Sequence, residues 1–229
     1  MKIQLTEKPE GVTIIEGFPG YGLVGTIVTE YLIDHLKPKM IGQFVYDELP
    51  ATIAIHDGQL VNPMAIYYSK EFNLVILHTI LNTAGHEWRI ADLIVEMAND
   101  LKAKQIVSIE GVASQVPEDK TKLFYFGSEQ LAKCGAEPIR ESIIVGVTAS
   151  VLLRYSNTSC IFAETNSQLP DSKASAKVIE LLDCYLKLNV DPKPLLKQAE
   201  TFEKKLKTMM RESKKIEKES EEKKMSYVG

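Results

Sequence analysis

The chain has 229 residues, of which 45% are hydrophobic, 25% charged and 7% aromatic, with thirteen glycines and ten prolines. This composition indicates a folded globular protein and excludes collagen-like, low-complexity and wholly disordered chains. Because the formal net charge is -4, the surface as a whole is not built to bind phosphate backbones, and nucleic acid is not expected as a partner.

Short β-branched runs alternate with helical stretches along residues 1–190. The predicted strands are Val12–Glu16, Ile41–Tyr46, Thr52–His56, Ala65–Tyr68, Leu74–His78, Ile106–Glu110, Ile143–Val145 and Cys160–Ala163. The predicted helices are Tyr21–Leu36, Glu87–Leu101, Ala149–Tyr155 and Lys173–Leu188. Since the strands are nearly continuously apolar, the alternation predicts an α/β fold with a largely parallel sheet covered on both faces.

The strongest local motif is a glycine-rich loop, GFPGYGLVG, between the first predicted strand and the first predicted helix. Gly20, Gly22 and Gly25 match the GxGxxG spacing of a dinucleotide-binding loop, and Asp47 follows at the distance of an acidic ribose ligand. The same glycines also allow a strand to turn into a helix that packs closely on the sheet. Both interpretations stay open, and the shortness of the motif favours the structural one.

Two further strand-end loops carry a carboxylate each, at Glu110 and Glu164. Ligands bind at the carboxyl ends of strands in open α/β sheets, so these glutamates and the glycine loop form one predicted crevice. Its members are Gly20, Gly22, Gly25, Glu110 and Glu164. The two glutamates would serve as an acid–base pair only if the fold brings them together, and bonding to loop amides is their alternative role.

Other catalytic signals are weak. His86, Glu87 and Arg89 stand at the entry to the second predicted helix, where a first helical turn without catalytic function is the favoured interpretation. The phosphate-loop, zinc-protease, nucleophile-elbow and EF-hand motifs are all missing from the sequence. The chain is therefore expected to be no enzyme and to need no metal or cofactor.

The cysteines and the N-terminal sequence bear on the cellular compartment. Cys134, Cys160 and Cys184 are odd in number and form no CxxC pair, which predicts buried free thiols in a reducing compartment. The first ten residues lack the apolar stretch of a signal peptide, and no apolar run is long enough to span a bilayer. A cytoplasmic protein without membrane contact is expected.

The charge pattern changes after residues 191–194, which include two prolines. Residues 195–229 carry ten Lys and Arg and seven Asp and Glu, so their charge is opposite in sign to that of the preceding body. We therefore predict a core domain at 1–190 and a charged helical arm at 191–229 with an apolar tip. The heptad-like seam of the arm is apolar only to about Met210, which favours a solvated single helix over a coiled coil.

Three motifs carry a resemblance to a known family. They are GFPGYGLVG with the following TIVTEYLIDHLK, the strand end Ile109–Gly111 and the turn Ala163–Thr165. With the charged arm, they resemble the proteasome-assembly-chaperone family, and in particular its archaeal members. The resemblance implies a three-layer α/β/α sandwich of the nucleoside-phosphorylase type, no catalytic activity, homo-oligomers and ATP-independent action on the 20S proteasome.

The resemblance also implies how the arm acts. In the family, a terminal tripeptide of a hydrophobic residue, a tyrosine and any residue enters pockets between subunits of the α-ring. Here Tyr227, Val228 and Gly229 occupy these places, so the tyrosine stands one position early. Either the pocket accepts this register, or the arm contacts a sister chaperone or adaptor. The alternative function is an enzyme that binds a nucleoside or nucleotide in the glycine-loop crevice.

Overall fold

The computed structural model describes residues 1–49, 51–56, 58–113, 121–165 and 169–197, together with 208 and 211. Its strands are β1 (Lys2–Leu5), β2 (Thr13–Gly17), β3 (Lys39–Val45), β4 (Ala54–His56), β5 (Gln59–Val61), β6 (Met64–Ser69), β7 (Leu74–Thr79), β8 (Gln105–Ala113), β9 (Leu123–Phe126), β10 (Glu137–Pro138) and β11 (Thr158–Thr165). Its helices are a 3-10 turn (Tyr21–Leu23), α1 (Val24–Leu36), α2 (Glu87–Asp100), α3 (Gln130–Lys133), α4 (Gly146–Leu152) and α5 (Ser172–Leu186).

Nine strands form one sheet in the order β1-β3-β6-β7-β2-β8-β11-β9-β10, and β4 pairs with β5 separately. The four central strands β7, β2, β8 and β11 are parallel to one another. Beyond them, the pairs β1–β3, β3–β6, β6–β7 and β9–β11 are antiparallel. The predicted α/β fold is confirmed, but the parallel arrangement is limited to the centre and to the short edge pair β9–β10. The pair β6–β7 is antiparallel because a connection as short as residues 70–73 cannot cross over to a parallel neighbour.

Helices cover both faces of the sheet, as predicted. Successive residues of a strand point to opposite faces, and β2 shows this in Ile14 and Ile15, which are both fully buried. Ile15 belongs to the apolar cluster that includes residues of α1 and α5. Ile14 belongs to the cluster that includes residues of α2 and α4. The sheet is therefore the middle layer of an α/β/α sandwich.

One strand prediction and one cysteine prediction are wrong. Residues 143–145 form no strand, and Ile143 is 90% exposed in the loop before α4. Cys134 and Cys184 are joined in a disulfide that connects the end of α3 to α5 across 50 residues of sequence. Only Cys160 is a buried free thiol. Sequence spacing did not reveal the disulfide because tertiary packing, not proximity along the chain, brings these two helices together.

The predicted arm lies mostly outside the described residues, as do Tyr227, Val228 and Gly229. The described residues 191–197 continue from the core, where the side chain of Leu195 is buried. Within the described ranges, no helix combines the length and the apolar character that a membrane span requires. The same ranges contain no group of three or more His, Cys, Asp or Glu placed to hold a metal ion.

Candidate functional site

A pocket of about 430 Å3 lies near the carboxyl ends of β2 and β7 and beside β8. Four segments form its walls: the loop 18–21 after β2, the segment 82–87 before and at the start of α2, Ile109 and Glu110 on β8, and residues 145–148 at the start of α4. Ligands bind at this edge of open α/β sheets. The pocket is therefore the candidate functional site.

Glu110 is the carboxyl group in the wall of this pocket. Its Oε2 atom is buried and has no hydrogen-bond partner among the described residues. Burial raises the pKa of Glu110 to about 7, and the Thr148 hydroxyl opposes the rise by hydrogen bonding. Gly20 faces the other oxygen so closely that a Cβ there would lie 3.3 Å from Oε1. A carboxyl group that changes protonation near neutral pH thus borders the cavity.

A second carboxyl, that of Glu16, is fully buried on the neighbouring strand β2. The Ser108 hydroxyl donates a hydrogen bond to Glu16 Oε1, whereas Oε2 has no partner in the described part of the chain. Burial is the main cause that raises the pKa of Glu16 to about 8, and the charge of Glu110 adds to it. The hydroxyls of Ser108 and Thr148 act in the opposite direction.

These side chains share one face of the sheet because the strand register places them there. Glu16 is paired with Ser108, Ser108 is paired with Cys160 on β11, and Glu110 follows Ser108 by two residues on β8. Burial, with the two carboxyls, raises the pKa of the Cys160 thiol above its usual range. We call Glu16, Ser108, Glu110, Thr148 and Cys160 the carboxyl cluster. Its strand members lie on the face of the sheet that α2 and α4 cover.

The pocket has an acidic and apolar lining. Among the described residues that line it, none is Lys, Arg or His, and Glu87 adds a second carboxyl. Glu87 Oε1 accepts a hydrogen bond of 3.0 Å from the Gly85 backbone N–H. Arg89 donates to the carbonyl oxygen of Met1 at 2.8 Å. Of the three residues predicted at the entry to α2, only Glu87 lines the pocket. The described lining therefore has no basic side chain that could bind a phosphate group.

Two of the predicted loop glycines, Gly22 and Gly25, are closely approached by other residues of the protein and leave no room there for a ligand. Gly22 has a φ of 61°, and a Cβ there would lie 2.8 Å from Thr165 Oγ1. A Cβ on Gly25 would lie 2.6 Å from the carbonyl oxygen of Ile109. The predicted ribose ligand Asp47 is exposed after β3, which is separated from β2 by β6 and β7. These contacts favour the structural interpretation of the glycine loop.

The structure divides the predicted crevice. Gly20 and Glu110 line the first pocket, whereas Glu164 lines a second one of about 620 Å3 beside β9 and β10. Gly22 and Gly25 line neither of the two. Glu164 lies opposite Val112 in the β8–β11 register, two residues beyond Glu110 along β8. The charge of Glu110 acts on Glu16, whereas Glu164 lines the other pocket.

Comparison with known proteins places the chain in a family. The model of the PAC2 family matches residues 14–210, which is most of the chain. The chain belongs to the PAC2 family. The predicted resemblance to archaeal proteasome-assembly-chaperone homologues is thereby confirmed, since PAC2 proteins of that kind are among the structures it matches.

Three relatives illustrate the similarity. Pyrococcus furiosus PbaA, an archaeal homologue of proteasome-assembly chaperone, is 28% identical, with a TM-score of 0.82 over 93% of this chain and 98% of PbaA. The uncharacterised protein MJ0106 of Methanocaldococcus jannaschii is 27% identical over 96% of this chain and 94% of its own length. P. furiosus PbaB, an archaeal proteasome activator, shares the fold at 22% identity, with a TM-score of 0.73 over 90% of this chain and 97% of PbaB.

Within this PAC2 fold, two members of the carboxyl cluster have a signal in the sequence itself. Glu16 ends the predicted strand Val12–Glu16, and Ser108 lies inside the apolar run Ile106–Glu110. A charged or hydroxyl residue in a strand buried on both faces needs a polar partner. Each of these two residues therefore indicates that a polar partner lies nearby. Only the register of β2 against β8 shows that they are partners of each other.

Proposed function

We propose that this PAC2 protein is a proteasome-assembly-chaperone homologue that acts in the cytoplasm by binding, without catalysis and without ATP. In this proposal it forms homo-oligomers and docks on the α-ring of the 20S proteasome through its C-terminal segment. The observation that carries the proposal is the match to PbaA, which spans nearly the whole of both chains at 28% identity. A sister chaperone or adaptor is the alternative partner of the same segment.

The anchoring of residues 190–195 supports a role for the segment that follows. Val190 and Leu195 are buried in the apolar cluster of α1 and α5. The Tyr31 hydroxyl, on α1, donates a hydrogen bond of 2.7 Å to the carbonyl oxygen of Asp191. The chain therefore leaves the core from a fixed point. A charged segment that starts there would carry its tip away from the body, and several such tips on one oligomer would bind with avidity.

The hairpin of β4 and β5 supports the oligomer. Ile55 and Leu60 face each other across its two strands, and they are 71% and 73% exposed. An isolated two-stranded hairpin is at best marginally stable in water, and a pair of exposed aliphatic side chains gains by being covered. In a homo-oligomer, a second copy of this chain would cover these two side chains.

Docking is tested by binding to the 20S core particle of the same organism, with peptide hydrolysis followed in parallel. We expect the full chain to bind, and a chain truncated after Met225 or carrying Tyr227→Ala to lose most of that binding. Ser226→Ala is the matched control in the same tail and should bind normally. If the full chain fails to bind, direct docking is wrong, and co-purification of a sister chaperone or adaptor becomes the next test.

The oligomer is tested separately by light scattering coupled to size-exclusion chromatography. We expect Ile55→Lys and Leu60→Lys to lower the molar mass, because a lysine at the centre of an apolar contact leaves a buried charge. Ile143→Lys removes an even more exposed apolar side chain, in the loop before α4, and is expected to leave the mass unchanged. A wild-type protein that elutes as a monomer would contradict the proposal.

A further inference from the structure

We propose that the pocket beside Glu110 binds a small organic cation, in which an ammonium or guanidinium group is carried on an apolar body. This inference concerns a ligand of the core and does not depend on docking of the C-terminal segment. It is carried by the size of the cavity, by its apolar and aromatic lining and by the carboxyl group of Glu110 in its wall.

The size and the walls of the cavity fit such a ligand. A volume of about 430 Å3 lies in the lower part of the range typical of small-molecule sites. Phe18, Pro19 and Tyr21 form one wall, and Val145 and Val147 contribute apolar surface from the start of α4. Apolar and aromatic walls suit the hydrocarbon part of an amine, and aromatic faces also attract cations.

The polar end of the pocket is acidic. The carboxyl group of Glu110 lies in the wall of the pocket, and its buried Oε2 atom has no hydrogen-bond partner among the described residues. An N–H donor from a ligand in the pocket would bond to this carboxyl group, and a positively charged donor makes the stronger bond. Glu87 supplies a second negative charge, and no lining residue supplies a positive one. An anionic ligand would find no basic side chain among the described lining residues.

The groups around Glu110 predict how binding depends on pH. Glu16 faces it from β2, Cys160 from β11 and the Thr148 hydroxyl from α4, while Glu87 and Tyr21 share the pocket. In the empty pocket, burial keeps Glu110 partly protonated at neutral pH because its pKa is about 7. A bound cation favours the ionised carboxylate. Binding should therefore release a proton, and the affinity should rise about tenfold from roughly pH 6 to pH 8.

The cation has two possible sources, a free amine or a lysine or arginine side chain of a partner protein. Isothermal titration with phenethylamine tests the first source, and a blocked peptide whose only charge is one lysine side chain tests the second. Phenethyl alcohol, which lacks the charge, and phenylacetate, which reverses it, are the matched ligand controls. Binding of either cation with rejection of both controls supports the proposal and distinguishes the sources.

Protein variants locate the site. Glu110→Gln keeps the shape of the protonated carboxyl and should weaken cation binding at pH 8 about tenfold or more. Glu164→Gln removes a carboxyl from the second pocket and should have no effect. Ala84→Trp adds bulk at an exposed position in the pocket wall and should also block binding.

Three results would overturn the proposal. The first is that neither phenethylamine nor the lysine peptide binds at millimolar concentration. The second is equal binding of phenethyl alcohol and phenethylamine, which would assign the pocket to neutral ligands. The third is an affinity of the wild-type protein that does not change between pH 6 and pH 8. Because all three results use the wild-type protein, the proposal stays testable even if Glu110→Gln does not fold.

Discussion

The fully buried carboxyl of Glu16 should make the protein less stable as the pH rises. Its pKa is about 8 in the folded protein, against an ordinary value of 4.5. Above pH 4.5 the unfolded chain loses this proton while the folded protein keeps it, so the unfolded state is favoured progressively. The stability contribution of the protonated group is fully present below about pH 4.5, and its loss is complete only above about pH 8.

Substitution of Glu16 by Gln should remove this dependence. One unit of pKa corresponds to about 1.4 kcal/mol, so Glu16 alone lowers the free energy of unfolding by about 2 to 3 kcal/mol between pH 5 and pH 7. Gln keeps an oxygen that accepts the hydrogen bond from Ser108. Its amide N–H has no partner in place of Oε2, but that penalty does not depend on pH. The prediction therefore concerns the slope, not the absolute stability.

The assay is guanidinium unfolding at several pH values, with protein concentration and ionic strength held constant and the disulfide intact. The free energy of unfolding of Glu16→Gln, measured relative to the wild type, should rise by about 2 to 3 kcal/mol from pH 5 to pH 7. Glu141→Gln, at an exposed position, is the control for the loss of one negative charge. If the free energies of unfolding of Glu16→Gln and the wild type change in parallel with pH, the reasoning is refuted. Glu110→Gln gives a second test, with an expected change of about 2 kcal/mol.

Two further predictions concern the packing of the core. Reduction of the Cys134–Cys184 disulfide should lower the free energy of unfolding by about 4 kcal/mol in the chain-entropy model, because the bond closes a loop of 50 residues. Guanidinium unfolding with and without reductant measures this, Cys184→Ser should reproduce it, and equal stabilities would contradict it. Gly25→Ala should destabilise the protein by about 2 kcal/mol or more, because the new Cβ would overlap a backbone carbonyl oxygen. Gly58→Ala has open space around the new Cβ and should cost only about 1 kcal/mol for its positive φ, so equal losses of melting temperature in the two variants would argue against the overlap.

Periodicity predicted the elements whose burial is uniform. The three long helices α1, α2 and α5 and the buried strands β2, β7 and β8 all lie where the sequence placed them, within a few residues. Each has an apolar pattern that only one secondary structure can bury. The sheet edges were harder to predict. The strand β1 (Lys2–Leu5) alternates polar and apolar residues over only four positions, which does not distinguish an edge strand from a loop.

The candidate site could be predicted only in part. The sequence identified Glu110 and Gly20 because strand-end loops bind ligands in α/β sheets. The sequence also grouped Glu164 with them. Residue types do not show how far β8 and β11 continue beyond the first pocket, and this extension places Glu164 in the second pocket. Glu16 was missed because a charged residue at a strand end looks like the start of a loop. Only the pairing of β2 with β8 shows that this carboxyl is enclosed.

The two buried carboxyls connect the stability of the fold to the proposed ligand. In the empty protein both groups favour the protonated state and lower the stability as the pH rises. A cation in the pocket favours the ionised form of Glu110, so its stabilising effect must grow over the same pH range. The gain in melting temperature on addition of phenethylamine should therefore be larger at pH 8 than at pH 6, and it should vanish in Glu110→Gln. A carboxyl cluster with a purely structural role would show the falling stability of the empty protein without this opposite response to the amine.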